Sequence, residues 1–211
     1  MANGDQSTPT RWKRTQAMLR RSFLCGGLLL GLVYVAAAVD AALGRSSEVN
    51  AFARETAAPD QSGWSQERIR EFAVARRSVA SSPIALLRIP SLQLAVPLYE
   101  TATELHLNRG VGLIENMAQP GEGGNLGIAG HRDGFFRALK DIGRGDLIEV
   151  QTHQRTYRYR VVATQIVAAA DTTPLADTAE PTVTLVTCYP FYYLGHAPQR
   201  FIVRGSYLQK E

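Results

Sequence analysis

The sequence predicts a mostly-β domain, a closed or nearly closed barrel of short strands with a few short helices, behind an N-terminal transmembrane helix. Three observations carry this expectation. Beyond Pro83, short apolar and β-branched runs recur between Gly, Pro and polar breaks, the pattern of an all-β barrel. In Thr156 to Ala163, Tyr157, Tyr159 and Val161 alternate with Arg158 and Arg160, the period-2 signature of a half-exposed strand. Ser22 to Val39 is an 18-residue run without a charge, between Arg21 and Asp40.

From the N-terminus, residues 1–21 carry Arg11, Lys13, Arg14, Arg20 and Arg21 against Asp5, a net +4, while the rest of the 211-residue chain sums to zero. The basic pI of about 9.3 is therefore a property of one end. That distribution speaks for a topology signal and against a nucleic-acid groove. As a helix, residues 22–39 would be ~27 Å long, enough to cross the hydrocarbon core. With its basic flank first, the positive-inside rule places residues 1–21 in the cytoplasm as a tail. Everything after Asp40 is then extracytoplasmic, on a single-pass protein of the cell (inner) membrane. A cleaved export signal is the competing reading, since Arg20-Arg-Ser-Phe-Leu24 resembles a twin-arginine signal and Ala36-Ala-Ala38 a cleavage site. The length of the apolar run favours the retained anchor.

Residues 40–82 read as a stalk with a helix. Ser65 is placed as an N-cap and Glu67 in the first turn, with Ile69, Phe72, Ala75 and Val79 at helical spacing to about Ser81, where Pro83 ends the pattern. The helix would pack on the domain or stand between it and the membrane. Residues 83–211 are expected to form the β domain that carries the function. Strands are expected at 85–89, 92–97, 126–129, 147–151, 156–163, 183–187 and 201–207, and short helices at 134–142 and near Leu175.

Cys188 is the only cysteine outside the apolar N-terminal segment. It ends the β-branched run Thr184-Leu-Val-Thr-Cys188, where a strand would deliver it to a sheet edge. His131 lies 57 residues upstream and Arg200 follows 12 residues after the cysteine. One Cys, one His and one Arg are the parts of a thiol acyl-transfer site. A cysteine and a histidine at reference pKa values hold thiolate and imidazolium together in only ~1% of molecules at neutral pH. A fold must pair the two groups or work with the minor population. The histidine can protonate a leaving amine, and the arginine fork can bind an oxyanion or grip peptide backbone. The residue after Cys188, by its N–H, and the Thr187 hydroxyl are further candidate donors. A lone exported cysteine can equally be an inert buried hydrophobe.

His106, placed in a polar loop, His153, in a hairpin turn, and His196, eight residues from Cys188, compete with His131. His131 ranks first because it ends an apolar strand between Gly130 and Gly134. Four scattered histidines and one exported thiol show no ligand spacing, so neither metal nor cofactor is expected.

The segment Thr184-Leu-Val-Thr-Cys188 resembles the TLxTC signature of the sortases, membrane-anchored cysteine transpeptidases of bacterial surfaces. Ala129-Gly-His-Arg132 is similar to their histidine motif, and Arg200 occupies their arginine position. Gly121-Glu-Gly-Gly-Asn125 and Phe135-Phe136 also fit, and Cys-Tyr-Pro-Phe191 with Ala-Pro-Gln-Arg-Phe-Ile-Val203 looks most like class D. The resemblance covers about residues 83–208. It implies an eight-stranded sortase-type barrel in which Cys188 is nucleophile, His131 general acid/base and Arg200 an aid to substrate and oxyanion binding. It further implies that Cys188 attacks a Leu-Pro-x-Thr-Gly-type sorting signal between Thr and Gly. An amine then resolves the thioester, joining a surface protein to a cell-wall precursor or pilin. Thr187, Tyr189, Phe191 and Tyr192 are expected at the substrate, with the loop aromatics Phe191, Tyr192 and Tyr193 selecting the apolar start of the signal or simply packing on the barrel. Gly110-Val-Gly112 departs from the pattern in being followed by Leu113 rather than histidine. No acidic cluster suggests the calcium site of some relatives. Another extracytoplasmic thiol peptidase, or an inactive barrel serving as a surface-assembly scaffold, are the alternatives. His before Cys in the chain counts against papain-like enzymes, and the absence of a compact Ser-His-Gly motif counts against L,D-transpeptidases.

Overall fold

The computed structural model describes residues 31–32, 59–78, 82–193 and 195–208. Residues 1–48 and 49–211 are two separate compact units. Of the first, only Gly31 and Leu32 are described, both helical. The expected transmembrane segment thus lies outside the described residues but for these two. Among the described residues, no helix is long and apolar enough to cross a membrane.

Eight strands close the barrel: β1 (Ala85–Ile89), β2 (Leu94–Tyr99), β3 (Val111–Leu113), β4 (Asn125–Ala129), β5 (Leu147–Thr152), β6 (Thr156–Ala168), β7 (Thr182–Tyr189) and β8 (Gln199–Tyr207). Their spatial order is β1-β2-β3-β4-β7-β8-β6-β5, with β5 pairing back to β1. Neighbours run antiparallel except at β2–β3 and β4–β7, which are parallel. The β-branched and aromatic residues of each run alternate into the lumen. Leu87, Ile89, Val96, Leu98, Ile148 and Val150 are wholly buried there, each contributing about 2 kcal/mol of burial free energy. Tyr159, also buried, has its phenol pushed up to about 12, chiefly by loss of water.

Seven strands stand where the sequence places them. The eighth, Val111–Leu113, is three residues long, too short to show a period, and is made by pairing with β2 and β4. Strand β6 runs five residues beyond the expected end, because β8 continues to pair with it as far as Ala168↔Gln199. The helix expected at 134–142 is a 3-10 helix, Phe135–Asp141, and a second 3-10 turn holds Thr173–Leu175.

Helix α1 (Gln66–Arg77) begins as predicted: Ser65 Oγ accepts from Arg68 N–H at 3.1 Å. It packs on the barrel. Phe72 and Phe135 belong to the core cluster, Trp64 packs against it, and the three rings meet edge to face at centroid distances of 5.0–5.9 Å. A short helix α2 (Glu104–Leu107), unforeseen in the sequence, follows β2.

Candidate active site

Parallel pairing of β4 and β7 sets the relative position of His131 and Cys188. The register runs Asn125↔Thr182 to Ala129↔Val186, and Gly130 N–H donates to Val186 O at 3.1 Å. Two residues past Ala129 stands His131, and two past Val186 stands Cys188, so the strands deliver both at the same level. On β7, Val183 and Leu185 face the lumen, so Thr187 faces inward and Cys188 outward. Antiparallel β8 then brings Arg200 opposite, as the Cα partner of Cys188. The three line one cleft of about 990 Å³ on the outside of the sheet, together with His196.

A close approach at Gly130 makes this possible, and Gly134 stands in ordinary contact with two side chains. A Cβ on Gly130 would lie 2.6 Å from the Phe136 ring, so only glycine lets the 3-10 helix fold back beneath His131. A Cβ on Gly134 would sit 3.6 Å from both His131 Cβ and Arg68 Cδ, so α1's arginine and the imidazole share its space.

His131 Nε2 lies 3.3 Å from Glu104 Oε1, near enough for an ion pair but without hydrogen-bond geometry. Burial, and next the Arg68 guanidinium, hold the imidazole below the ordinary histidine range. Glu104 and Asp133 act in the opposite direction. Burial prevails because the Glu104 side chain is 70% exposed and screened by water. Burial and Arg68 both favour the neutral form of the imidazole. Arg200 donates through Nη1 to Gln199 O at 2.9 Å and Ala197 O at 3.3 Å. Its Nε and Nη2 have no partner among the described residues, so the fork retains donors for a substrate.

The expected substrate residues divide. Thr187 and Tyr189 do not line the cleft. Flanking Cys188 on a strand, they face the other way, as the period-2 rule requires. The Thr187 hydroxyl is buried and donates to Gly130 O at 2.8 Å. Tyr189 packs on Phe191 and Phe201. Phe191 lines the cleft but is 92% enclosed by its packing (8% exposed), whereas Tyr192, also at the cleft, is 74% exposed with Arg137 4.8 Å from its ring centroid. His106 is not in a loop: it lies in α2, stacked on Tyr99, with Nδ1 2.9 Å from Thr101 O.

Four cleft residues carried no signal of their own in the sequence: Arg68, Glu104, Asp133 and Arg137. Arg132 was visible only as the residue after the histidine. Its Nη2 donates to Tyr193 O at 2.9 Å and Gly195 O at 2.7 Å, tying the β7–β8 loop to the histidine segment. Among the described residues, no three His, Cys, Asp or Glu gather in a way that could hold a metal ion.

The sortase domain family matches residues 87–208. The chain belongs to the sortase family. It is 34% identical over 122 residues to sortase D of Bacillus subtilis (strain 168), an alignment that takes in 57% of this chain and 62% of that protein. With sortase A of Bacillus anthracis it shares 26% over 127 residues, 58% of this chain and 59% of the relative. This sortase thus spans about three fifths of the length of the curated relatives it matches. The structure of a Clostridium perfringens sortase D5 transpeptidase superposes with a TM-score of 0.56 at 28% identity, covering 69% of this chain and 90% of that one. A sortase D and a sortase D5 among these relatives accord with the class D resemblance of the cysteine segment.

Proposed function

We propose that this sortase is a cysteine transpeptidase that cleaves a Leu-Pro-x-Thr-Gly-like sorting signal and joins the released carboxyl end to an amine acceptor, such as a cell-wall precursor or a pilin. The observation that carries the reading is the register: Cys188 and Arg200 are cross-strand partners, and parallel β4 sets His131 beside them at one cleft.

Cys188 Sγ attacks the Thr carbonyl as neutral His131 takes the thiol proton. The developing oxyanion is met by the Arg200 fork. The C–N bond breaks, and His131 returns its proton to the departing glycine nitrogen. The acceptor amine then enters, gives a proton to His131 and displaces the thioester, regenerating the thiol. Tyr192, exposed at the cleft, contacts the apolar start of the signal. Residues 22–39 anchor the enzyme in the cell membrane with the N-terminus cytoplasmic and residues 83–211 outside, where surface proteins pass.

The test is mass spectrometry of the full chain in detergent, mixed with a Leu-Pro-x-Thr-Gly peptide library. A thioester adduct on Cys188 and amine-dependent ligation are expected. Both should vanish in Cys188→Ala and His131→Ala and persist in His196→Ala. An adduct that only hydrolyses, whatever amine is added, would make the protein a thiol peptidase. No adduct with any peptide would favour the scaffold reading. For topology, protease added to intact cells should digest the catalytic domain; full protection would contradict the proposed orientation.

A further inference from the structure

Helix α1 lies outside the span of the family match, yet three of its residues, Glu67, Arg68 and Glu71, line the cleft. Arg68 is only 11% exposed. Its Nη1 is 2.9 Å from Glu71 Oε2 and also bonds Asn108 Oδ1, and its Nη2 is 3.2 Å from Asp133 Oδ1. Its Nε is buried without a hydrogen-bond partner. The stem runs past Gly134, where a Cβ would touch Arg68 and His131 equally at 3.6 Å. A guanidinium so enclosed is poorly screened by solvent.

We propose that Arg68 is a positioning residue of the active site, whose fixed cation beside His131 keeps that imidazole a neutral proton acceptor. The inference rests on the transpeptidase reading only for the use made of His131. The charged and titratable groups that line the cleft with the imidazole come from every side. Helix α1 brings Arg68, with Glu67 and Glu71 on the same wall, and α2 brings Glu104. The histidine's own segment brings Arg132, Asp133 and Arg137, and β7 and β8 with their loop bring Cys188, His196 and Arg200. Glu104 and Asp133 favour the imidazolium, and Arg68 opposes it.

The consequence is chemical. Neutral His131 can accept the thiol proton as the S–C bond forms. The imidazolium so produced, sitting by a fixed cation, is then a stronger acid toward the leaving nitrogen as the C–N bond breaks. One side chain from a segment outside the family match thus assists both halves of the proton transfer. Trp64 and Phe72 hold α1 against Phe135, three residues past Arg132, so this cation is built into the fold.

The experiment follows His131 by NMR in the full chain, labelled at histidine and held in detergent, with the resonance assigned by His131→Asn. No peptide is needed, so its result stands apart from the sorting-signal assay. In Arg68→Gln the protonation midpoint should move up, and in Arg68→Lys, which keeps the charge, it should stay near wild type. Arg68→Met repeats the test with the apolar stem retained. An unchanged midpoint in both neutral variants, or an equal rise in the lysine variant, would overturn the proposal. So would loss of folding in both neutral variants with the lysine variant intact and its midpoint raised, which would make Arg68 a structural tie only.

Discussion

The Thr187 hydroxyl donates a 2.8 Å hydrogen bond to the carbonyl of Gly130, joining the residue before Cys188 to the residue before His131. The bond is buried and crosses between parallel strands, just beyond their last paired residues, Ala129 and Val186. It makes the separation of Cys188 and His131 a property of the sheet.

Thr187→Val keeps the shape and removes the hydroxyl, leaving the Gly130 carbonyl short of a partner. A loss of about 1–3 kcal/mol in urea unfolding is expected. The acylation rate should fall as well, with Thr187→Ser restoring most of both. Equal activity in the valine variant would show that the sheet holds the pair without this bond.

Arg132→Ala releases the Tyr193 and Gly195 carbonyls, to which the guanidinium is bound. These contacts are exposed, so global stability should change by less than about 1 kcal/mol. Amide exchange in residues 190–199 should accelerate, and kcat/KM toward a sorting peptide should drop roughly tenfold, about 1.4 kcal/mol. Faster exchange without a kinetic change would separate loop order from catalysis.

The pH dependence of stability follows from His131, held below its reference of 6.5 by burial and Arg68. As pH falls below about 6.5, the unfolded chain binds a proton that the folded chain refuses. Stability therefore drops with falling pH down to the folded midpoint, and His131 adds nothing further below it. Above 6.5 both states are neutral and the group is silent. Denaturant melts of His131→Asn between pH 4 and 8 should show a shallower acid limb than wild type; parallel curves would sink the assignment.

At the alkaline end Tyr159 governs, with its phenol raised to about 12. Above about pH 10 the unfolded chain ionises this group while the fold does not. The stability it lends is lost as pH rises toward 12. Tyr159→Phe should flatten that loss, as read by melts between pH 9 and 11.

Trp64→Ala removes the ring that packs on both Phe72 and Phe135. A cost of about 3 kcal/mol is expected in thermal or urea melts. Protease cutting within residues 66–77 should quicken together with it. A free-standing α1 would instead show no change in barrel stability.

Much was legible along the chain because its signals are local. Alternating apolar residues marked seven of eight strands, Ser65 marked the start of α1, and His131, Cys188 and Arg200 stood in motifs that together resemble one family. Strand parity was also present in the sequence: Thr187 and Tyr189, flanking an outward Cys188, had to face in. What the sequence could not show depends on pairing between distant segments. Val111–Leu113 becomes a strand only because β2 and β4 flank it. Arg68 and Glu104 reach His131 only after the barrel closes, 63 and 27 positions away along the chain. The residues proposed to do the chemistry were legible in the sequence itself. The charges that set their protonation were decided by the tertiary structure, because an electrostatic environment depends on distance in space and on exclusion of water.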